Sequence, residues 1–436
     1  MEQEELKRKL LGLWEKTTHN SKDFISILFD YYFDVNYVEY KEFDGKIISA
    51  LCGIPYSFGY GDKTLKGLYL ISLSSEEGFR KKGILSELLN NINARLQNEF
   101  DFTFLIPQTE LLADYFATQE YYHSFYILEE RFTPLHNFKN DYILSLTDSD
   151  ERIRNLKIAL TDAISVYNCN NDPFFNKENV IKFIQTIEKK GSSAVCLSHT
   201  RKDLDFLLQY DSLNFLETFI AYDSDETITG IAFIQKEDIK RLKVVAFYVT
   251  DTCTYYSLLD YIKRQYPDYS LSVITSEIKY QTHALIQQTY ASSNAQGSDL
   301  DNTFSTVEIP FNFNKLLQPM GMARILRYDK IIEYLAVTRS DVNFKLHIRD
   351  FYFLPQENQL FSDTEVKESA GAYIFIVKNG NLTIQPYSNF LNDRSIISLS
   401  KKEFSELLLR KNDSSNLIME AFGIPRLNLQ MRLLPN

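Results

Sequence analysis

The sequence predicts an α/β (α+β) chain of three units, two alternating helix and strand and a smaller third of mixed α+β pattern. Three observations carry this. The chain has 436 residues, too many for one ordinary core, and about 150 residues per domain gives three. Apolar positions switch repeatedly between the 3.6-residue and the two-residue period. From about Met320 the pattern changes, and alternating, strand-like runs predominate.

The elements follow in order. Leu6, Leu10, Leu13 and Trp14, then Phe24, Ile27, Leu28 and Tyr31, recur at helical spacing. VNYVEYKEF and KIISALCGI flank Asp44-Gly45, a favoured type I′ turn pair, and predict a hairpin. LKGLYLISLSS (65–75) reads as a strand, and Ile84, Leu85, Leu88, Leu89, Ile92 and Leu96 form the apolar stripe of a helix. DFTFLIP (101–107) is a further strand, and ELLADYFA a short helix after it. The polar stretch 146–157 punctuates the chain. Beyond it, 150–167 and 177–190 read as helices, and SAVCLSH, the hairpin 217–235 and RLKVVAFYV as strands. SLLDYIKRQY reads as a helix, and 291–303 as an exposed mobile loop. In the third unit NFKLHIRDFYFL is a strand, and 371–387 a hairpin turning at Asn379-Gly380. Ser400 and Glu403 form a capping box that opens the helix EFSELLLR.

Composition bounds the function. A chain that is 44% hydrophobic and 24% charged, with 15 Gly and 11 Pro, can bury a core, which excludes global disorder and collagen-like classes. The net charge of −11 argues against nucleic acid, which needs a basic face, and is compatible with a cationic partner. Solubility alone also accounts for an acidic surface. Cys52, Cys169, Cys196 and Cys253 lie far apart without a CxxC pair, and the histidines are scattered. Reduced thiols and no metal site are therefore expected. The charged N-terminus lacks the apolar core of a secretory signal, and no run reaches the ~18 apolar residues that span a bilayer. A cytoplasmic protein without a membrane partner is expected.

The stretch LYLISLSSEEGFRKKGILSELLNNI carries the chemistry. A strand ends, a loop with Arg80, Lys81, Lys82 and Gly83 follows, and an amphipathic helix begins at once. Amides at a helix N-terminus lack intrahelical partners, so this junction suits a phosphate or pyrophosphate. Gly83 lets the backbone approach it closely. A solvated basic turn leading into a surface helix is the structural alternative.

These residues resemble motif A of the Gcn5-related N-acetyltransferase (GNAT) family, Q/R-x-x-G-x-G/A. Here it reads Arg80-Lys81-Lys82-Gly83-Ile84-Leu85, with Leu85 at the final Gly/Ala position. LGLWEKTTHNSKDF, TFLIPQTELLADYF, AVCLSHTRKDLDF, GMARILR and LNLQMRLLPN extend the likeness over nearly the whole chain. The chain resembles bacterial acetyltransferases of the enhanced intracellular survival (Eis) type and their Bacteroides-like relatives. The resemblance implies tandem GNAT folds over 1–140 and 141–315, the second without a working cofactor site. It implies a sterol-carrier-protein-like α+β domain over 316–436.

It also implies roles for residues. Leu73 and Ser75 would pair with the pantetheine arm of acetyl-CoA, and the amides from Lys81 through Ile84 and Leu85 to Ser86 would cradle its pyrophosphate. Gln108 and Thr109, at the end of the next strand, would add cofactor contacts. The family's general acid is a Tyr five residues before the aromatic of a Gly-aromatic pair. Counting back from Tyr121 lands on Phe116, with Glu120 in place of the Gly and Tyr115 adjacent. The family's base is a C-terminal carboxylate, here that of Asn436. His123, Asp30 and Asp34 have structural readings that outweigh functional ones.

The implied activity is transfer of an acetyl group from acetyl-CoA to a primary amine of a small-molecule or peptide-like acceptor, with a homo-oligomer compatible. Phe116, Leu85 and Glu120 keep open a degenerate acyl-CoA-binding scaffold. The third unit keeps open a lipid-binding protein.

Overall fold

The computed structural model describes residues 3–17, 22–60, 63–146, 151, 155, 163–190, 195–212, 216–237, 240–275, 314–336, 342–349, 372–378, 381–387, 396–409 and 429–430. Two amphipathic helices open it, α1 (Gln3–Thr17) and α2 (Lys22–Tyr32), burying Leu6, Leu10, Leu13 and Trp14, then Phe24, Ile25, Leu28 and Phe29. The hairpin β1 (Val38–Phe43)–β2 (Lys46–Tyr60) turns at Asp44-Gly45, both at positive φ as a type I′ turn requires. β3 (Lys63–Ser75) returns antiparallel to β2. A crossover through α3 (Ile84–Leu96) then brings β4 (Phe102–Leu105) parallel to β3. After α4 (Glu110–Thr118) comes β5 (Tyr122–Phe132), and then α5 (Phe138–Ser145).

The next stretch repeats this pattern. After β6 (Ser165–Asn168), α6 (Lys177–Lys190), β7 (Val195–Ser198) and α7 (Arg201–Ser212), the antiparallel strands β8 (Glu217–Tyr222), β9 (Ile228–Glu237) and β10 (Arg241–Val249) follow. α8 (Thr252–Gln265) crosses over to β11 (Ser270–Thr275), parallel to β10. Thus β8–β9–β10–α8–β11 repeats β1–β2–β3–α3–β4.

The two repeats exchange their closing strands. β12 (Asn314–Ile325), some 200 residues from β4, pairs antiparallel with it, Met322 opposite Leu105 and Ile325 opposite Phe102. β5 pairs antiparallel with β11 of the second repeat, and β5 and β12 pair with each other. The pairings close into a ring, β12–β4–β3–β2–β7–β17–β5 and back to β12, where β17 is Leu429–Gln430. Across its interior Phe58 of β2 and Phe104 of β4 lie 6.1 and 5.3 Å from Phe125 of β5. The expected boundary at 315/316 therefore falls inside β12, a strand of this ring.

A second sheet, β15 (Asn381–Pro386)–β14 (Ala372–Lys378)–β13 (Val342–Arg349)–β16 (Ile397–Ser400), carries α9 (Tyr328–Ala336) and α10 (Lys401–Leu409). The capping box is formed: Glu403 N–H donates to Ser400 Oγ (3.1 Å) and Ser400 N–H to Glu403 Oε2 (2.6 Å). Tyr328 stacks on Phe404, and a single apolar cluster runs from Leu6 to Leu409.

Three local expectations change. Residues 165–168 form β6, paired with β8, where a helix is expected to continue: tertiary pairing overrides a periodic pattern. α7 is not read from sequence. α8 begins at Thr252, five residues before the predicted start, because the Asp251 side chain caps it. The strand predicted over 343–354 is formed over Val342–Arg349, and its remaining residues lie outside the described residues. The loop 291–303 and the turn at Asn379-Gly380 lie outside the described residues.

Gly67 is fixed by its neighbours. A Cβ there would stand 2.8 Å from two ring carbons of Phe102 and 2.9 Å from Phe58, inside van der Waals contact on both sides. Gly67→Val is expected to lower unfolding free energy by about 3 kcal/mol, the upper range for overpacking a well-filled core. A denaturant midpoint equal to wild type would mean that these rings repack freely.

Candidate functional site

The site is built where β3 and β4 part. They pair over three positions only, Gly67–Phe102, Leu68–Thr103 and Tyr69–Phe104. β3 then runs six residues further, to Ser75, held on its other edge by β2, while β4 stops one residue later at Leu105. The β4-side edge of Leu70–Ser75 thus faces an opening. Ser72 has φ +54, and Leu51 of β2 faces both Ser72 and Leu73, so β3 bulges within that segment.

Beyond the opening lies the basic loop. Glu77–Phe79 forms a 3-10 turn, Arg80–Gly83 is exposed, and Gly83 caps α3 at φ +77 with no side-chain capping bond. Glu87 N–H makes the first α-helical bond, to Gly83 O (3.0 Å). The amides of Ile84, Leu85 and Ser86 come before it and have no intrahelical acceptor. Arg80 Nε donates to Ser75 O (3.1 Å), and the Lys82 ammonium lies 4.9 Å from the centroid of the Phe79 ring. Arg80, Lys81 and Lys82 are side by side at the positive end of the helix dipole, a donor set suited to a pyrophosphate.

The second repeat contrasts at the same junction. Asp251 caps α8, its carboxylate accepting from Thr254 N–H (2.8 Å) and from the Thr254 and Thr250 hydroxyls. A carboxylate already occupies the position an anionic ligand would take.

The predicted site residues divide. Arg80, Lys81, Lys82, Gly83, Ile84, Leu85 and Ser86 share one loop and helix turn beside the opening, and Leu73 and Ser75 share its strand. Ser75 is already engaged at two atoms, its carbonyl by Arg80 and its hydroxyl by Ser49 Oγ at 2.8 Å. Gln108 and Thr109 do not end a strand. β4 stops at Leu105 because Pro107 follows, and Thr109 is the N-cap of α4, accepting from Leu112 N–H (3.2 Å). Tyr115 shares a hydrogen bond with Ser86 Oγ (2.9 Å), which ties α4 to the first turn of α3. Phe116 is buried under α3 and α4, with its ring 6.1 Å from that of Tyr121. Tyr121 is held beneath α3 by Thr103 Oγ1 (2.9 Å) and Asn93 Nδ2 (3.2 Å), and burial raises its pKa. Tyr122 is pushed up to about 12 by burial and by Glu120 and Glu406. Asn436 lies outside the described residues.

Asp30 pairs with Lys7 (2.8 Å), and Asp34 caps the turn at Val35–Tyr37. Among the described residues no group of His, Cys, Asp or Glu is placed to hold a metal, and no helix is long and apolar enough to cross a membrane.

Glu120, at the position where the family pattern has Gly, takes φ +64, the backbone that favours glycine. Its carboxylate pairs with Arg324 of β12 (3.2 Å) and Lys401 of α10 (3.1 Å), and Arg324 also donates to the Gln119 carbonyl (3.2 Å). Side-chain pairing offsets backbone strain. Glu120→Gly is expected to stay within about 0.5 kcal/mol of wild type, since relieved αL strain and lost exposed ion pairs are each about 1 kcal/mol. Arg324→Ala, which also strips the carbonyl's partner, is expected to cost about 1–2 kcal/mol. Urea denaturation of both variants measures this, and a Glu120→Gly loss as large as that of Arg324→Ala would contradict it.

No family model matches the sequence, and no curated protein matches it. Solved structures do. One is a conserved protein of unknown function from Enterococcus faecalis V583, described as a probable N-acyltransferase. Its TM-score is 0.62 at 12% identity, over 96% of this chain and 91% of that one. A GCN5-related N-acetyltransferase from Kribbella flavida gives 0.60 at 12% identity, over 100% and 97%. Eis1 from Mycobacterium abscessus gives 0.56 at 10% identity, over 97% and 91%. These likenesses show the fold: the chain has the α/β architecture of these N-acetyltransferase structures along its length, in agreement with the fold class read from sequence.

Proposed function

We propose that the chain is an N-acetyltransferase that takes its acetyl group from acetyl-CoA and passes it to a primary amine of a small-molecule or peptide-like acceptor. The observation that carries this is the parting of β3 and β4 beside an uncapped helix N-terminus bearing three cations. An extended pantetheine arm adds to the open edge of β3 as another strand would, and the pyrophosphate meets the amides of Ile84–Ser86. In this reading the catalytic unit is 1–140 with β12 completing its sheet, 141–313 is its repeat without a phosphate site, and the residues after β12 are a sterol-carrier-like unit docked on it. The Asp251 cap supports the assignment of the second.

In the reaction the neutral amine attacks the thioester carbonyl, so the N–C bond forms and then the C–S bond breaks. One proton leaves nitrogen and one reaches the thiolate. We assign the first to the carboxylate of Asn436. β17 supports this: it is parallel to β5 and β7, and through β12 its direction matches that of β3 and β4. The chain therefore passes Gln430 heading for the end of the ring where β3 and β4 part. The net charge of −11 favours a cationic acceptor.

Calorimetric titration with acetyl-CoA, followed by thiol release over an amine panel, tests the reading. Binding with turnover is expected. Binding without turnover would favour the acyl-CoA-binding scaffold, for which the buried Phe116 is the supporting observation. No binding would end the acetyl-CoA reading.

A further inference from the structure

The bulge in β3 needs something to hold it. Ser72 is not glycine, yet its φ of +54 lies in the left-handed region, at a cost of about 1 kcal/mol or more. Ile71 pairs with Cys52 and Ser74 with Ala50, so the extra residue leaves the β2–β3 ladder at this point. The Ser72 carbonyl is taken instead by the indole N–H of Trp14, on α1. Trp14 is fully buried, its ring edge-on to Phe29 with centroids 4.5 Å apart, so the donor is fixed in place. It is also the only Trp in the chain.

We infer that Trp14 is a positioning residue, which turns the Ser72–Leu73 peptide so that the Leu73 amide is aimed into the opening between β3 and β4. In a trans peptide the C=O and N–H point opposite ways, and no cis bond occurs among the described residues. With the Ser72 carbonyl drawn toward α1, the Leu73 N–H points away from α1. Leu73 itself packs against the cluster beneath α3 and α4, the side on which the basic loop lies. The bulge begins three residues past Tyr69, the last residue of β3 paired with β4, so the aimed amide belongs to the open segment. A donor set in advance costs no reorganisation when a carbonyl of the pantetheine arm or the thioester arrives.

This inference rests on the acetyl-CoA reading, and the experiment separates the two. Trp14 is replaced by benzothienylalanine through nonsense suppression, which keeps the ring shape and removes only the N–H; Trp14→Phe is made beside it. Affinity is measured for acetyl-CoA and for its nucleotide half, 3′-phosphoadenosine 5′-diphosphate, which has no pantetheine arm. Benzothienylalanine is expected to weaken acetyl-CoA binding about three- to ten-fold, the worth of one misaimed hydrogen bond, and to leave the nucleotide half unchanged. A residue with a merely structural role would weaken both ligands together. Equal weakening of both, or no weakening of acetyl-CoA, overturns the positioning role while the acetyl-CoA reading stands. Wild-type protein that binds neither ligand overturns the reading itself.

Discussion

Gly83→Val is expected to lower acetyl-CoA affinity by about two orders of magnitude. Gly83 caps α3 at φ +77, where a β-branched residue costs about 1–2 kcal/mol, so the backbone would move back toward negative φ. That movement swings the amides of Ile84, Leu85 and Ser86 away from one another. Losing two such charge-assisted bonds costs about 3 kcal/mol, which is roughly 100-fold. Nothing lies within 4 Å of a Cβ built on Gly83, so the protein itself has room for the side chain and the loss falls on the ligand. Gly45 provides the control. It has φ +73 in the β1–β2 turn and is equally open, so Gly45→Val carries the same strain away from α3. Calorimetry on both variants should find acetyl-CoA affinity lost in the first and kept in the second. If Gly83→Val binds as wild type does, the pyrophosphate does not sit on this turn.

What was legible in the sequence was local. The Asp44-Gly45 turn, the capping box at Ser400 and the loop at Gly83 depend on residues within a few positions of one another, so residue type alone points to the geometry. What was not legible depends on partners far away in the chain. The run before Arg324 reads as the opening of a third unit, yet β12 completes the sheet of the first, because β4 needs an antiparallel neighbour and β5 has gone to β11. Glu120 reads as a departure from glycine, and only Arg324 and Lys401, some 200 and 280 residues on, show how a non-glycine residue is held there. Trp14 reads as a core aromatic, which it is, but its bond to Ser72 joins a helix to a strand 58 residues away. Periodicity records which face is buried, not which polar atom each buried side chain meets.

Removing residues 431–436 is expected to cut turnover by about 100-fold or more while leaving acetyl-CoA affinity near wild type, since a positioned base contributes about 10²–10⁴-fold. A carboxylate drawn into the opening would be partly desolvated, which raises its proton affinity and suits it to accept the amine proton near neutral pH. The cofactor contacts proposed above lie on β3 and α3, so the two effects are expected to separate. The proton for the leaving thiolate is a distinct problem. Tyr121 is tied to Thr103 and Asn93, and Tyr115 to Ser86, so each hydroxyl is already committed within the fold. In the proposed reading Phe116 stands where the family pattern has its acid, and it carries no hydroxyl. Phe116→Tyr is accordingly expected to raise turnover about ten-fold, the lower end of what an added acid supplies after the cost of burying a hydroxyl. Steady-state thiol release for the two variants, with acetyl-CoA affinity measured alongside, reads both outcomes. A shortened chain that turns over normally removes the tail from the chemistry. A Phe116→Tyr variant that folds, binds and gains nothing means that solvent or another group already protonates the thiolate.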